Sequence, residues 1–309
     1  MTSAAVQASV PPAPLPEVAI LQSRGALSFA RDLVLLTKPR LSMLVLFTTA
    51  CGMYLAPGHI GAARGALTLV ATMLVVAGAQ TLNCWHERDV DAKMVRTRLR
   101  PLPDGRVEPR VALAQGLALS GLSVPALTFG VNALTGLLAV IALLTYVLVY
   151  TPLKRRTPEA LYVGAIPGAI PPLLGWTAVT GSVDAGGVAL FWILFAWQLP
   201  HFLAIAIYLR EDYARGGIRA VPVVRGELAA KLTAVATSAV LVPITLVPVP
   251  LGLAGTPYLV AAGVLGAAFV GMSVTGLAGR ATVPWARRFF VLSIVYLTLL
   301  LAALLVFHR

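Results

Sequence analysis

Residues 64–91 read RGALTLVATMLVVAGAQTLNCWHERDVD, and this stretch decides the class of fold. Its first part, 64–84, is an apolar run long enough to cross a bilayer as a helix, which takes roughly 20 residues. From Asn83 onward the stretch carries an amide, three carboxylates, a histidine and an arginine. Polar groups at the end of a membrane helix are functional by default. The stretch therefore predicts a membrane helix that ends at a functional site.

The composition of the whole chain supports a membrane protein. Of its 309 residues, 58% are hydrophobic and 12% are charged, about half the charged fraction of a soluble domain. Cys51 and Cys84 lie in apolar runs and lack the spacing of a disulfide framework or a thiolate metal site. We predict an all-α, polytopic protein with nine transmembrane helices. The apolar runs are 41–57, 64–84, 109–128, 131–151, 160–180, 185–208, 229–249, 256–279 and 287–307.

The basic residues predict the orientation of these helices. If the N-terminus is cytoplasmic, 22 of the 24 basic residues fall in cytoplasmic segments, and only Arg64 and Arg309 fall outside. The net charge of +12 thus follows from membrane topology and gives no reason to expect a nucleic-acid partner. We expect residues 1–30 to be a disordered cytoplasmic tail and 31–309 to be one transmembrane domain.

The polar end of the second span predicts an anion site. If the helix continues, Asn83, Glu87 and Asp91 are at i, i+4 and i+8 and lie on one face. Such oxygens suit Mg²⁺, which takes one or two carboxylates and shares a bound phosphate group. Arg96 and Arg100 follow, and guanidinium groups match phosphate oxygens.

Basic residues near other helix ends have two interpretations. Lys38 and Arg40 precede the first span, where each is either an interfacial anchor or a group that reaches a bound diphosphate. Lys154 follows the fourth span and is a compact charge suited to a leaving diphosphate. The positive-inside rule accounts for Arg155 and Arg156 beside it.

The sixth span carries a further polar set. His201, Tyr208 and Asp212 are at i, i+7 and i+11, close to one helical face. Asp212 resembles the end of a second, poorer acidic row. Tyr208 also fits an interfacial aromatic belt, and His201 fits a haem ligand, a proton shuttle or a hydrogen-bonded core residue.

Several motifs, taken in order along the chain, resemble a known family. The family is that of the protohaem IX farnesyltransferases, or haem O synthases, a branch of the UbiA-type intramembrane prenyltransferases. One departure is Glu87, which stands where the family usually has Asp. The matching segments are 37–40 (TKPR), 83–91 (NCWHERDVD), 100–103 (RPLP), 150–155 (YTPLKR), 168–176 (GAIPPLLGW), 200–202 (PHF) and 212–215 (DYAR).

The resemblance implies a reaction and an architecture. Farnesyl diphosphate and haem B, with water, give haem O and diphosphate. The implied fold is a nine-helix bundle around a central cavity open to lipid, in the bacterial cytoplasmic (inner) membrane. Active-site loops at about 85–108 and 209–228 face the cytoplasm. By analogy, haem A synthase or a terminal oxidase is a downstream partner.

The resemblance also implies roles for single residues. A catalytic set is expected at Asn83, Glu87, Asp91, Lys154 and Asp212. Mg²⁺ is expected at Asn83, Glu87, Asp91 and Asp212, diphosphate at Arg40, Arg96, Arg100 and Lys154, and haem at His201 and Tyr208. His201 is expected to act as iron ligand or as the group that places the water.

Three alternatives stay open. One is a prenyltransferase of the same superfamily that acts on a quinone or aromatic precursor, although the segments 168–176 and 200–202 favour the haem branch. Another is a transporter of lipid or organic anions, but transporters place polar residues near the midplane, whereas here they collect at helix ends. A structural or assembly role gives no reason for carboxylates in register.

Overall fold

The computed structural model describes residues 25–278 and 282–309, with the backbone alone at Arg40. The regular elements of these residues are all helices. In chain order they are α1 Ala26–Leu36, α2 Pro39–Leu55, α3 Ala62–Asp91, α4 Pro109–Gly130, α5 Ala133–Leu153, α6 Ala160–Thr180, α7 Ala185–Tyr208, α8 Arg210–Arg215, α9 Val221–Val224, α10 Gly226–Leu246, α11 Thr256–Ala278 and α12 Thr282–Val306.

The long helices match the predicted membrane spans. Within the described residues, α3 to α7 and α10 to α12 are long and apolar enough to cross a membrane. A ninth span is formed if α1 and α2, bent by 53° at the break between them, count together. The prediction of an all-α polytopic membrane protein is confirmed, and α3 continues to Asp91 as the register of its polar face requires.

Helix α1 begins inside the segment predicted as a tail. It starts at Ala26, and its buried Leu36 packs with Cys84 and Leu102 in a small apolar cluster. Asp32 on the same helix forms an ion pair with Arg106. Residues 26–30, predicted as part of the tail, therefore belong to a helix that has both an apolar and a charged partner. Residues 1–24 lie outside the described residues.

Helices α6 and α7 form the centre of the bundle. In each of them 72% of an apolar 18-residue stretch of the helix is buried, compared with 22% in α5 and 28% in α11. Helix α6 packs against α2, α5 and α7, and α7 also packs against α10 and α12. Glycines allow the close contact of α2 with α6, because a Cβ at Gly52 would collide with the Pro172 carbonyl and one at Gly175 with the Thr49 carbonyl.

The sides of the bundle face lipid, and one end gathers the polar segments. Large apolar side chains such as Phe129, Leu148 and Val264 are exposed on the outer helices, as expected for a surface in a bilayer. The break before α2, the end of α3 and the end of α5 converge at the same end of the bundle. The loop 92–108 and the segment 213–221 join them there.

Candidate active site

Two cavities adjoin at the polar end of the bundle. The first, the polar pocket, has a volume of about 240 Å³. The second, the apolar cavity, has a volume of about 300 Å³ and lies between α2, α3, α5, α6 and α7. Tyr146, Tyr150 and Phe202 line both cavities, so the two share a wall of aromatic rings. Leu41 lines the apolar cavity and is 55% exposed, which places an edge of this cavity at the outer surface of the bundle.

The charges around the polar pocket favour an anion. Five cationic side chains and two carboxylates line it, so positive charge is in excess. A ligand with several negative charges would restore the balance, as electrostatic complementarity requires. The charged lining residues are Lys38, Arg96, Arg100, Lys154, Arg219, Glu87 and Asp91.

The acidic row lies on the wall of the polar pocket. Asn83, Glu87 and Asp91 are 2%, 5% and 2% exposed, and all three line the pocket. The Asn83 amide nitrogen donates to Glu87 Oε2 at 3.0 Å and to Thr151 Oγ1 at 3.1 Å. Its oxygen accepts from Lys38 Nζ at 3.1 Å. The amide thereby ties α3 to α5 and to the break before α2.

Lys154 meets this row from the end of α5. It forms an ion pair with Glu87, and its Nζ lies 5.4 Å from the centre of the Tyr150 ring. Burial disfavours the charged amine, but the Glu87 carboxylate outweighs burial and raises the pKa of Lys154 above its ordinary value. Lys154 is therefore a cation at neutral pH, held at the wall that the polar pocket shares with the apolar cavity.

Lys38 reaches the pocket through an unusual backbone conformation. Its φ of 49° and ψ of 60° are left-handed, which costs a residue with a Cβ roughly 1–2 kcal/mol. Its Nζ donates to Gln80 Oε1 at 2.9 Å and to Asn83 Oδ1 at 3.1 Å. Two hydrogen bonds to a charged donor offset this cost. The side chain of Arg40, which was predicted to bind diphosphate, lies outside the described residues.

Arg96 and Arg100 line the pocket from the loop that follows α3. Arg100 Nη1 donates to Asp91 Oδ2 at 2.7 Å. The Thr97 hydroxyl donates to the Asp91 backbone oxygen at 2.8 Å, so the loop turns back over the end of α3. Each guanidinium has five N–H donors, and most of them stay available for phosphate oxygens.

Asp212, predicted as a metal ligand, does not line the pocket. Its Oδ1 accepts from the Val95 N–H at 2.8 Å and from Arg215 at 3.0 Å, and its Oδ2 accepts from the Arg96 N–H at 3.3 Å. Burial raises the pKa of this carboxyl, but Arg215 and the two N–H groups outweigh burial and lower it overall. Asp212 thus holds the loop that carries Arg96, and its oxygens are directed at that loop.

His201 lies in the apolar cavity, between two aromatic rings. Its ring centre is 4.6 Å from that of Trp197 and 4.8 Å from that of Phe290. The Ser293 hydroxyl donates to the Phe290 carbonyl at 2.6 Å and lies 2.7 Å from His201 Nδ1. When the serine gives its single hydrogen to the Phe290 carbonyl, Nδ1 is the donor in the second contact and Nε2 keeps a lone pair.

Tyr208, the other residue predicted on the haem side, lines neither cavity. Its ring packs edge-on against Phe290, and the Arg287 guanidinium lies 6.0 Å from its centre. The i, i+7 spacing places Tyr208 two turns beyond His201, where α7 ends. It thus fits the aromatic belt better than the cavity.

Sequence reasoning missed four residues that line the cavities. Gln80 and Arg219 were assigned to an apolar run and to the topology-determining charges. Tyr146 and Tyr150 are four residues apart and share one face of α5, within a π-helical turn over Thr145–Tyr150. Such turns occur frequently at functional sites, but ordinary helical periodicity gives no signal for them.

The donors of the acidic row fit Mg²⁺ shared with a bound phosphate group. Among the described residues, no cluster of three or more His, Cys, Asp and Glu side chains could enclose a metal. Asn83, Glu87 and Asp91 offer one amide oxygen and two carboxylates to the polar pocket. Mg²⁺ is usually held in this way, with water and substrate phosphate in its other positions.

Comparison with known sequences identifies the family of this chain. The model of the UbiA prenyltransferase family matches residues 45–305. The chain belongs to this family. A protoheme IX farnesyltransferase of Anaeromyxobacter dehalogenans (strain 2CP-C) is 58% identical over 290 residues, which cover 93% of this chain and 98% of that protein.

Solved structures show the same fold in other members. A structure of digeranylgeranylglyceryl phosphate synthase has a TM-score of 0.76 at 16% identity and covers 90% of this chain and 98% of its own. A UbiA homologue from Archaeoglobus fulgidus bound to GPP and Mg²⁺ has a TM-score of 0.62 at 18% identity. The match covers 88% of this chain and 99% of that homologue. The predicted UbiA-type fold is therefore confirmed, and the chain is an integral, multi-pass membrane protein.

Proposed function

We propose that this UbiA-family member transfers a farnesyl group from farnesyl diphosphate to a vinyl group of haem B, with water, and forms haem O and diphosphate. The observation that carries the proposal is the pair of adjoining cavities, one rich in cations and one apolar. A prenyl diphosphate has the same division into an anionic head and an apolar chain. The similarity to a protoheme IX farnesyltransferase supports haem as the acceptor.

The polar pocket is suited to the diphosphate group. Arg96, Arg100 and Lys154 supply donors on its wall, and Lys38 adds a fourth cation. Arg40 stays a predicted diphosphate ligand. Positive groups fixed before reaction stabilise the charge that develops on the leaving diphosphate, which is commonly the largest catalytic effect. Asp212 contributes by holding the backbone of Arg96.

The acidic row is suited to a metal that bridges to the same diphosphate. Asn83, Glu87 and Asp91 would hold Mg²⁺, which would neutralise charge on the diphosphate oxygens as the allylic C–O bond breaks. The UbiA homologue solved with GPP and Mg²⁺ supports this assignment. The acidic row and its cationic partners face the same pocket, so both can act on one diphosphate.

The apolar cavity is suited to the farnesyl chain and the porphyrin. Leu, Val, Ala and Pro side chains form most of its wall and keep bulk water from the allylic cation. His201 presents Nε2 with a lone pair, the form of imidazole that binds iron. We therefore assign His201 to the haem-binding side of the cavity, and we do not assign Tyr208 a role in haem binding.

The membrane orientation and the fate of the product complete the proposal. The polar end is assigned to the cytoplasmic side of a bacterial inner membrane, because the basic residues collect there. Haem A synthase or a terminal oxidase would take up the haem O.

Product analysis tests the proposed function. The purified protein in lipid nanodiscs is incubated with haem B, farnesyl diphosphate and Mg²⁺, and the haem and diphosphate products are quantified. We expect equal amounts of haem O and diphosphate, and no product when a chelator removes the divalent cation. Unchanged haem B beside a prenylated quinone or phenol, in reactions supplied with those acceptors, would contradict the proposal.

A further inference from the structure

We infer that Gln80 and Tyr146 hold the water molecule that adds to the acceptor, and so determine that the product is hydrated. This inference rests on the proposed function and goes beyond it, because it assigns a site to the third reactant. It is carried by an amide and a phenol at the boundary of the two cavities. Gln80 lines the apolar cavity, and Tyr146 lines both.

The orientation of the Gln80 amide follows from its partners. Lys38 Nζ donates to Gln80 Oε1 at 2.9 Å, and the Tyr146 hydroxyl donates to the same oxygen at 3.2 Å. An ammonium group can only donate, so Lys38 fixes which end of the amide is the oxygen. Within the described residues no group accepts from Gln80 Nε2. The amide thus keeps two N–H donors, and the Tyr146 oxygen keeps lone pairs.

A donor and an acceptor side by side match the needs of a bound water molecule. A water in an apolar cavity persists where two to four polar partners hold it. Two other polar groups of this cavity, on Gln198 and Thr48, already donate to backbone carbonyls. The Gln198 amide donates to the carbonyls of Ala165 and Leu194, and the Thr48 hydroxyl donates to that of Val45.

The chemistry requires the water at this boundary. The diphosphate is attached to C1 of the farnesyl chain, so the C–O bond that breaks lies where the polar pocket meets the apolar cavity. The terminal vinyl carbon of haem bonds to C1, and the positive charge then rests on the adjacent carbon, one bond away. The water oxygen bonds to that carbon, and one of its protons passes to the released diphosphate.

The position of Gln80 along α3 agrees with this requirement. Gln80 precedes Asn83 by three residues, about 4.5 Å along the helix axis. Tyr146 and Tyr150 stand opposite on the π-helical turn, with ring centres 5.5 Å apart. A water held by Gln80 and Tyr146 would therefore lie within one helical turn of the acidic row.

Loss of this water changes the product as well as the rate. Without it the same cation loses a proton from the neighbouring carbon. The result is a farnesylated haem with a carbon–carbon double bond, lighter than haem O by one water molecule. A residue with a purely structural role would lower the amount of product and leave its hydration unchanged.

The test compares Gln80→Met and Tyr146→Phe with the wild type. Each removes polar atoms and keeps the approximate size of the side chain. Tyr162→Phe is the matched control, because Tyr162 lies on α6 and lines neither cavity. The haem products are separated by chromatography and their masses are measured by mass spectrometry. Binding of farnesyl diphosphate is measured alongside.

We expect Gln80→Met and Tyr146→Phe to form the dehydrated product and to lower haem O formation by about 10-fold or more, because a misplaced reactant loses the benefit of orientation. Tyr162→Phe should behave as the wild type. If both variants give only hydrated product, whatever their reaction rates, the inference is overturned while the proposed function stands. If the wild type forms no farnesylated haem, the proposed function fails and the inference falls with it.

Discussion

The polar pocket and the apolar cavity share a wall but are built differently. The pocket takes side chains from several separate segments, and ion pairs and hydrogen bonds fix its charged groups, such as Lys154 with Glu87 and Arg100 with Asp91. The cavity is formed by the faces of helices, with His201 and Gln80 among its few polar groups. The pocket is thus suited to recognise charge, and the cavity to recognise shape and exclude water. Substitutions on the two sides should therefore fail in different ways.

The largest effect is expected in the acidic row. Asp91→Ala removes a carboxylate from the polar pocket and leaves Arg100 without its 2.7 Å partner. We expect haem O formation to fall by at least about 100-fold, since loss of one electrostatic contact to a transition state costs about that much. Initial rates of haem O formation measure the effect.

Asp89 provides the matched control for Asp91. It lies two residues earlier on α3 and is exposed, and its contact with Arg88 is a long surface ion pair of 3.8 Å. Asp89→Ala should therefore keep nearly full activity. Equal losses in the two variants would show that the charge of the loop matters and that the register of the row does not.

A different failure is expected on the apolar side. His201→Ala should change the haem absorption spectrum and weaken haem binding by about 10-fold or more, the scale of losses around metal-binding histidines. Binding of inorganic diphosphate should not change, because His201 does not line the polar pocket. A haem spectrum identical to that of the wild type would remove the iron-ligand role.

The same division explains what the sequence could predict. Asn83, Glu87 and Asp91 are visible because strongly polar groups at the end of an apolar helix are rare and helical spacing shows that they share a face. The membrane spans are visible because each is a long apolar run. Lys38 has a charge too, but its approach to Asn83 depends on a left-handed backbone that the residue type disfavours.

The apolar cavity gives much weaker signals. Tyr146 and Tyr150 share a face of α5 because they are four residues apart, but aromatic rings in an apolar run also fit an interfacial belt, so their spacing does not reveal a cavity. Asp212 shows the opposite problem. It has the residue type and spacing of a ligand, but its contacts with Val95 and Arg96 come from a loop whose course depends on tertiary packing.

Asp212→Asn tests whether this residue supports the pocket from outside. The change weakens the hold on the Val95 and Arg96 N–H groups and removes the ion pair with Arg215. We expect about a 10-fold loss of activity, with a higher KM for farnesyl diphosphate, as for groups that orient binding residues. The exposed neighbour Glu211, changed to Gln, serves as control. A loss as large as that of Asp91→Ala would instead favour the predicted role as a metal ligand.

The smallest effect is expected at Glu87, where the resemblance of the motif to the family implies an aspartate. Glu87→Asp keeps the charge but shortens the side chain by one methylene. It should weaken either the 3.0 Å contact with Asn83 or the ion pair with Lys154. A weakened hydrogen bond of about 0.5–1 kcal/mol corresponds to a loss of about 2- to 5-fold in rate.

Glu87→Gln separates length from charge at the same position. It keeps the reach of the side chain but leaves the buried Lys154 without a carboxylate, and breaking a buried pair in this way is strongly unfavourable. Its rate of haem O formation should fall further than that of Glu87→Asp. If Glu87→Asp were the worse variant, the length of the side chain would matter more than its charge. The contacts of Glu87 with Lys154 and Asn83 would then depend on exact geometry, and the polar pocket would recognise shape as the apolar cavity does.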